Sequence, residues 1–265
     1  MSAASPRRAG EWLRAAERNL PLVAELDPLL GPAGGVLVLA PHPDDESLGC
    51  GGLLAACAAD RRPARVVVVS DGAGSHPRSQ AYPPARLSAL RQGEARAAVA
   101  ALGLDPLRDI AFLGLPDTAV PSAGPAFEAA VAALLRLADP APGAVLVTWR
   151  HDPHCDHAAS FAMAAALVRA LPAGTRLYAY PVWGLAFAHP LPGFPLPPEP
   201  LISEPPRGIR LDITRHLPAK RRAVAAHVSQ VSPLVTDDPQ GFRLPPEALA
   251  LAFRPTELFL EVDFA

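Results

Sequence analysis

An excess of charge of one sign is missing from this chain: 24 Lys and Arg stand against 26 Asp and Glu, a formal net charge of −2. Without a polybasic stripe nucleic acid is not an expected partner, because phosphate contacts need clustered cations. No basic amphipathic helix points to an anionic membrane surface either. Long apolar runs are also lacking, and no stretch is long enough to span a bilayer, so no membrane insertion is expected. Met1-Ser2-Ala3-Ala4-Ser5-Pro6-Arg7-Arg8 carries a basic pair with no apolar segment behind it, since Glu11, Arg14, Glu17 and Arg18 interrupt the next stretch. No signal peptide is read, and a cytoplasmic location is expected. Cysteine is scarce: Cys50, Cys57 and Cys155 form an odd set with no framework spacing, which fits free thiols in a reducing compartment. Cys50 and Cys57, seven apart on one face of an expected helix, read as small core residues.

A phosphate-binding fingerprint is absent as well. The cluster Gly49-Cys50-Gly51-Gly52 does not complete G-x-G-x-x-G, because Leu54 stands at the last glycine position, and no phosphate-binding lysine comes after it. These glycines are expected to let a helix pack tightly on its strand.

What is present is alternation. Val36–Ala40, Val66–Ser70, Ile110–Leu113, Ala144–Thr148 and Leu177–Tyr180 read as strands, separated by helical compositions near 48–60, 84–102, 124–138 and 157–171. Near-continuous apolar strands alternating with helices mean a mostly parallel sheet covered on both faces, a Rossmann-like α/β fold. Arg210–Ile213 is expected as a further strand, Ala219–Gln230 as a helix, and Glu257–Val262 as a last strand at the sheet edge. Nine prolines fall between 181 and 206 among Trp183, Phe187 and Phe194, so that stretch is an extended excursion or a cover, neither helix nor inner strand. The chain at 265 residues is read as a single domain, 1–265, with 1–30 as an N-terminal helical extension and the excursion embedded.

The first strand stops at Pro41-His42-Pro43-Asp44-Asp45-Glu46. Carboxyl ends of strands are where α/β sheets bind ligands. Here one imidazole and three carboxylates crowd within five positions, and acids so close repel unless a positive charge, most simply a divalent metal, lies among them. The alternative is a solvated acidic turn with Asp44 or Asp45 capping a helix. A second cluster, Arg150-His151-Asp152-Pro153-His154-Cys155-Asp156-His157, comes after the strand Ala144–Thr148. Strand ends of a doubly wound sheet share one rim, so the two clusters are expected to meet. His154 and His157, three apart at a helix start, face the same side, whereas Cys155 should point away from it. Three protein ligands with an open position suit a catalytic metal, and two His with one Asp also match an arrangement used by iron.

On these two motifs the chain resembles the PIG-L/LmbE family of metal-dependent N-deacetylases. Ser70-Asp71-Gly72-Ala73, Arg91-Gln92-Gly93-Glu94, Leu113-Gly114-Leu115-Pro116-Asp117, and Lys220 with Ala226-His227-Val228-Ser229-Gln230 add to the likeness, in order from about 36 to 230. The resemblance implies hydrolysis of an acetamide on an amino sugar such as an N-acetylglucosamine conjugate, with Zn2+ as the usual metal and Fe2+ as the alternative. It implies His42, Asp45 and His157 as metal ligands, Asp44 as general base, and His154 as the group that stabilises the oxyanion or protonates the leaving amine. Cys155 stands where a proline is common, and Asp152 where some members place a tyrosine.

The chemistry agrees with those residue types. A bound divalent metal brings the pKa of its water toward about 7, Asp44 is free to take a proton, and a protonated His154 helps the metal bear the oxyanion. Asp156 is expected either to hold His154 as imidazolium or to orient His157, and Glu46 to be structural. Arg91 and Asp117 are candidate contacts for sugar hydroxyls, with an ion pair between Arg91 and Glu94 as the other reading of Arg91. Asp71 reads as a turn residue, and His227 either donates to the site or sits in the core. The expected partner is a small acylated amino sugar or glycoconjugate, and homo-oligomerisation is left open. Two other readings stand beside this one: a metal-dependent amidase or esterase on another small acylated metabolite, and a non-catalytic sugar-binding module.

Overall fold

A computed structural model describes residues 5–263. Its strands are β1 (Arg7–Arg8), β2 (Leu22–Val23), β3 (Val36–Ala40), β4 (Ala64–Ser70) and β5 (Ile110–Leu115). They continue with β6 (Ala144–Thr148), β7 (Arg176–Tyr180), β8 (Leu201–Ile202), β9 (Gly208–Asp212) and β10 (Thr256–Glu261). The helices are α1 (Ala9–Asn19), α2 (Asp27–Leu30), α3 (Asp45–Ala59), α4 (Pro84–Ala101) and α5 (Gly124–Leu137). Then come α6 (Cys155–Ala170), α7 (Leu185–Ala188), α8 (Leu217–Ala226), α9 (Val228–Val231) and α10 (Pro246–Ala252).

Eight strands form one sheet in the order β2-β9-β10-β7-β6-β3-β4-β5, and the pairings from β7 through β5 are all parallel. The period of two along each strand sorts its side chains to opposite faces. Val36, Val38, Val66, Val68 and Leu146 pack on one side with residues of α3 and α4, while Leu37, Leu39, Val67, Val145 and Val147 pack on the other against α5 and α6. Both faces are covered, which is why β3 and β6 are buried at every position.

The chain winds outward from β3 through β4 to β5, then returns to place β6 on the other side of β3. The switch point of the topology therefore lies between β3 and β6, where the loops leaving two adjacent strands diverge and open a crevice. Leu39 pairs with Val147, so the two acid and histidine motifs leave the sheet side by side.

The helix after β3 starts at Asp45 and lies close on its neighbours through the glycine cluster. A Cβ at Gly49 would collide with the Tyr180 ring, and one at Gly52 with Ile213. Cys50 and Cys57 are fully buried there.

Three expectations change. The last strand is not at the edge: β10 lies between β7 and β9, antiparallel to both. The helix expected over 219–230 breaks at His227, whose ψ of 59° leaves the helical range, giving α8 and α9. The proline-rich excursion holds one helical turn, α7, and a two-residue strand, β8, which pairs with β1. Among the described residues no helix is long and apolar enough to cross a membrane.

Candidate metal centre

Asp45 opens α3, and its Oδ2 lies 3.2 Å from His42 Nδ1 and 3.3 Å from His157 Nε2. His42 comes from the turn after β3 and His157 from the first turn of α6, so residues more than a hundred positions apart meet on one carboxylate oxygen. The other nitrogen of His42, Nε2, faces Asp156 Oδ2 at 3.2 Å and Asp117 Oδ1 at 3.3 Å. Donor atoms of His42, His154 and His157 lie within 4.8 Å of one another, as do those of His42, Asp117, His154 and Asp156. Cys155 is exposed and belongs to neither group.

The electrostatics call for a cation. Burial disfavours a charged His157, yet Asp45 and Asp152 outweigh it and raise its pKa to about 9. Burial likewise opposes protonation of His42, but its hydrogen bonds to Asp117, Asp156 and Asp45 together raise it well above the ordinary value. Asp45 is pushed up by burial and held well below the carboxylate range by His157 and His42. Protonated, the two imidazoles would supply the positive charge that the carboxylates require, and a divalent metal could supply it in their place. His157 Nε2 is also buried with no hydrogen-bond partner. An orphaned imidazole nitrogen beside a carboxylate, within a His and Asp donor set, suits a divalent metal.

Asp44 sits next to this cluster in an unusual backbone conformation, with φ 150°. Glu46 Oε2 accepts its N–H at 3.0 Å, and Arg91 reaches its Oδ2 at 3.3 Å. Burial raises the Asp44 pKa to about 6, against the pull of the Arg91 guanidinium. Glu46 is fully buried, accepting also from Ser47 and meeting His227 Nε2 at 3.0 Å. His227 thus belongs to a brace beneath Asp44.

Other residues take positions the sequence left open or read differently. The Asp156 carboxylate makes no hydrogen bond to the ring of His154 or His157; it meets His42 and accepts from the backbone of Thr118 and Val120. Its backbone N–H instead donates to His154 Nδ1 at 3.2 Å, because His154 caps α6. The carboxylate that holds His157 Nδ1, at 3.0 Å, is Asp152. Burial, followed by the charges on His42 and His157, lowers the His154 pKa to about 4. Arg91 is buried, with no ion pair to Glu94: its guanidinium donates to the carbonyls of Gly72 and Pro43 at 2.8 and 3.0 Å. Glu94 accepts from Ser229. Asp117 accepts from Gly74 N–H at 2.8 Å, and Asp71 caps its own turn at Ala73.

A cavity of about 260 Å³ opens over the cluster. Its polar side carries Asp44, Asp117, His154, Ser75 and Gln230; its apolar side carries Trp183, Phe194 and Phe242. Trp183 stacks on Phe194 with centroids 5.1 Å apart and meets Phe242 edge to face at 5.5 Å. The excursion therefore supplies part of the wall. A larger hollow, about 710 Å³, lies at the opposite ends of β3, β4 and β5 and holds none of the motif residues. Three of its four arginines are engaged locally, Arg62 with Asp27, Arg65 with Leu137 O and Arg108 with Asp109.

Residues 37–168 match the family model described as PIG-L, GlcNAc-PI de-N-acetylase. No curated protein matches the chain in sequence. Among solved structures, the N,N'-diacetylchitobiose deacetylase of Pyrococcus horikoshii is similar at 19% identity with TM-score 0.62, covering 95% of this chain and 90% of that one. The 4-carboxy-2-hydroxymuconate hydratase of Pseudomonas putida KT2440 is similar at 20% identity with TM-score 0.56, covering 73% and 78%. Teicoplanin deacetylase in a zinc-inhibited form is similar at 20% identity with TM-score 0.54, covering 74% and 84%. Likeness at these identities speaks to the fold, and a hydratase and two deacetylases share it.

Proposed function

This chain belongs to the PIG-L/LmbE family of metal-dependent N-deacetylases, and from that premise we propose that it removes the acetyl group from a small N-acetylated amino sugar or its conjugate. The observation that supports this most is the meeting of His42 and His157 on Asp45 Oδ2, with a separate carboxylate, Asp44, one residue away. A site for binding alone has no use for that spare base.

In this reading His42, Asp45 and His157 hold one divalent metal, zinc by donor type and iron(II) as the alternative. When bound, the metal polarises the amide carbonyl and acidifies the attacking water. Asp44, raised to about 6, takes the proton from that water as it adds to the carbonyl carbon. The same carboxyl then returns the proton to the nitrogen as the C–N bond breaks, giving acetate and the free amine. His154 Nδ1 accepts the Asp156 N–H, so a neutral ring carries its proton on Nε2 and donates it to the oxyanion. This replaces the imidazolium expected from sequence, which the low pKa of His154 disfavours.

Asp117 and Gln230, which line the cavity, would meet hydroxyls in this reading, and the rings of Trp183, Phe194 and Phe242 would pack an apolar face of the sugar. Arg91 acts through Asp44 and the carbonyls it holds. At about 260 Å³ the cavity is smaller than the roughly 300–1,000 Å³ of drug-sized sites, which favours one ring-sized group over a long chain. We further propose that 1–265 is one domain; the stretch expected as a helical extension, 1–30, carries α1 and α2 but also β1 and β2, and β2 joins the main sheet beside β9.

The hydratase of like fold favours a second reading, a metal-dependent reaction on another small metabolite at the same residues. A panel of N-acetyl amino sugars, other N-acyl amines, acetate esters and unsaturated carboxylates, assayed before and after chelation, tests both. Chelation-sensitive acetate release from the sugars is expected. Turnover confined to a compound without an amino sugar would reject the proposal.

A further inference from the structure

We infer that Asp152 is a positioning residue that ties the aim of the His157 imidazole to the placement of the substrate wall at 182–184. This rests on the reading of His157 as a metal ligand, though not on the identity of the reaction.

The Asp152 side chain is fully enclosed and accepts from two separate stretches of chain. Its Oδ2 meets His157 Nδ1 at 3.0 Å, Val182 N–H at 3.0 Å and Trp183 N–H at 3.2 Å, while Oδ1 accepts Gly184 N–H at 2.8 Å. The backbone N–H of Asp152 closes on Trp149 O at 2.9 Å, which fixes the loop that carries it. As Nδ1 of His157 faces Asp152 and keeps its proton there, Nε2, the buried orphan that faces Asp45, is the nitrogen left to give up its proton to a metal.

A carboxylate that only capped the turn at 182–184 would leave the contact with His157 without consequence. Two observations argue for more. Trp183, held through its N–H, places its ring in the cavity wall against Phe194. Gly184 leaves no slack, since a Cβ there would lie 2.5 Å from Asp152 Oδ1 and 2.6 Å from the Trp149 ring. The wall segment and the carboxylate therefore move together or not at all. A metal held on Nε2 would replace the proton there and pin the ring with its Nδ1–H on Asp152, which would restrain 182–184. By linkage, a displaced wall weakens the metal.

The test uses the full chain, stripped with a chelator and reloaded with one equivalent of zinc. Hydrogen exchange of the 182–184 amides is expected to slow at least about tenfold on zinc loading. The amides of Gln80 and Ala81, which Asp237 holds in a similar way, provide the reference for any general effect. Asp152→Asn is expected to lower zinc affinity about 10- to 100-fold in chelator competition and to abolish the zinc dependence of exchange at 182–184. Gly184→Ala, at a residue outside the donor set, is expected to lower zinc affinity in the same direction. Exchange at 182–184 that ignores zinc in the unaltered protein, or full zinc affinity in either variant, would overturn the inference. The exchange comparison needs no variant, so a misfolded substitution leaves the test intact. None of these readouts uses turnover. A protein coupled in this way that releases no acetate would reject the deacetylase proposal and leave the positioning role standing.

Discussion

Glu46 Oε2 accepts the backbone N–H of Asp44 at 3.0 Å, so the side chain two residues on supports the positive φ that directs Asp44 toward the cavity. A non-glycine residue in such a conformation persists only when its surroundings hold it. Removing Glu46 also strips the buried His227 of its carboxylate partner. Glu46→Ala is expected to destabilise the protein by about 3–5 kcal/mol, the range for breaking one side of a buried pair. Urea unfolding would show this as a lower midpoint at unchanged slope.

Asp44→Asn keeps the shape of the side chain and removes the proton acceptor. It is expected to lower kcat for acetate release by about a hundred- to ten-thousand-fold. Metal content, measured in parallel, should match the parent protein because Asp44 lies outside the proposed ligand set.

His154→Ala removes the proposed donor to the oxyanion. A fall in kcat of about a hundred- to a thousand-fold with little change in KM is expected. A change confined to KM would move His154 from the chemical step to substrate binding.

Metal binding should depend steeply on pH. In the metal-free protein His157 keeps its proton up to about pH 9, and His42 is raised as well. A ligand nitrogen must lose that proton, so affinity falls as pH drops below about 9, by about tenfold per pH unit for each proton displaced. Calorimetry at pH 7 in two buffers of different ionisation enthalpy should register proton release on zinc binding. Equal heats in the two buffers would contradict this.

The parts of the site that arise directly from strands were legible in the sequence. Val36–Ala40 and Ala144–Thr148 are apolar at nearly every position and each runs into a polar loop, which marks both the buried strands and the rim above them. What depended on distant partners was not legible. The acid beside His157 was visible at 152, but the three amides that fix its role arrive some thirty residues later. Arg91 looks like any helix-face arginine until the carbonyls of Gly72 and Pro43 are brought to it. The interior place of β10 comes from antiparallel pairing with β7 and β9, which the local pattern of Thr256–Glu261 does not encode. The break at His227 has no proline or glycine to announce it; the ring turns inward to Glu46 and the helix gives way there.

The most direct test of the metal-dependent deacetylase is a titration of chelated protein with zinc, with bound metal and acetate release from an N-acetylglucosamine conjugate measured in the same sample. Activity should rise in proportion to occupancy and level off at one metal per chain, with both signals lost in His157→Ala. Acetate release that is already complete before any metal is added would contradict the account.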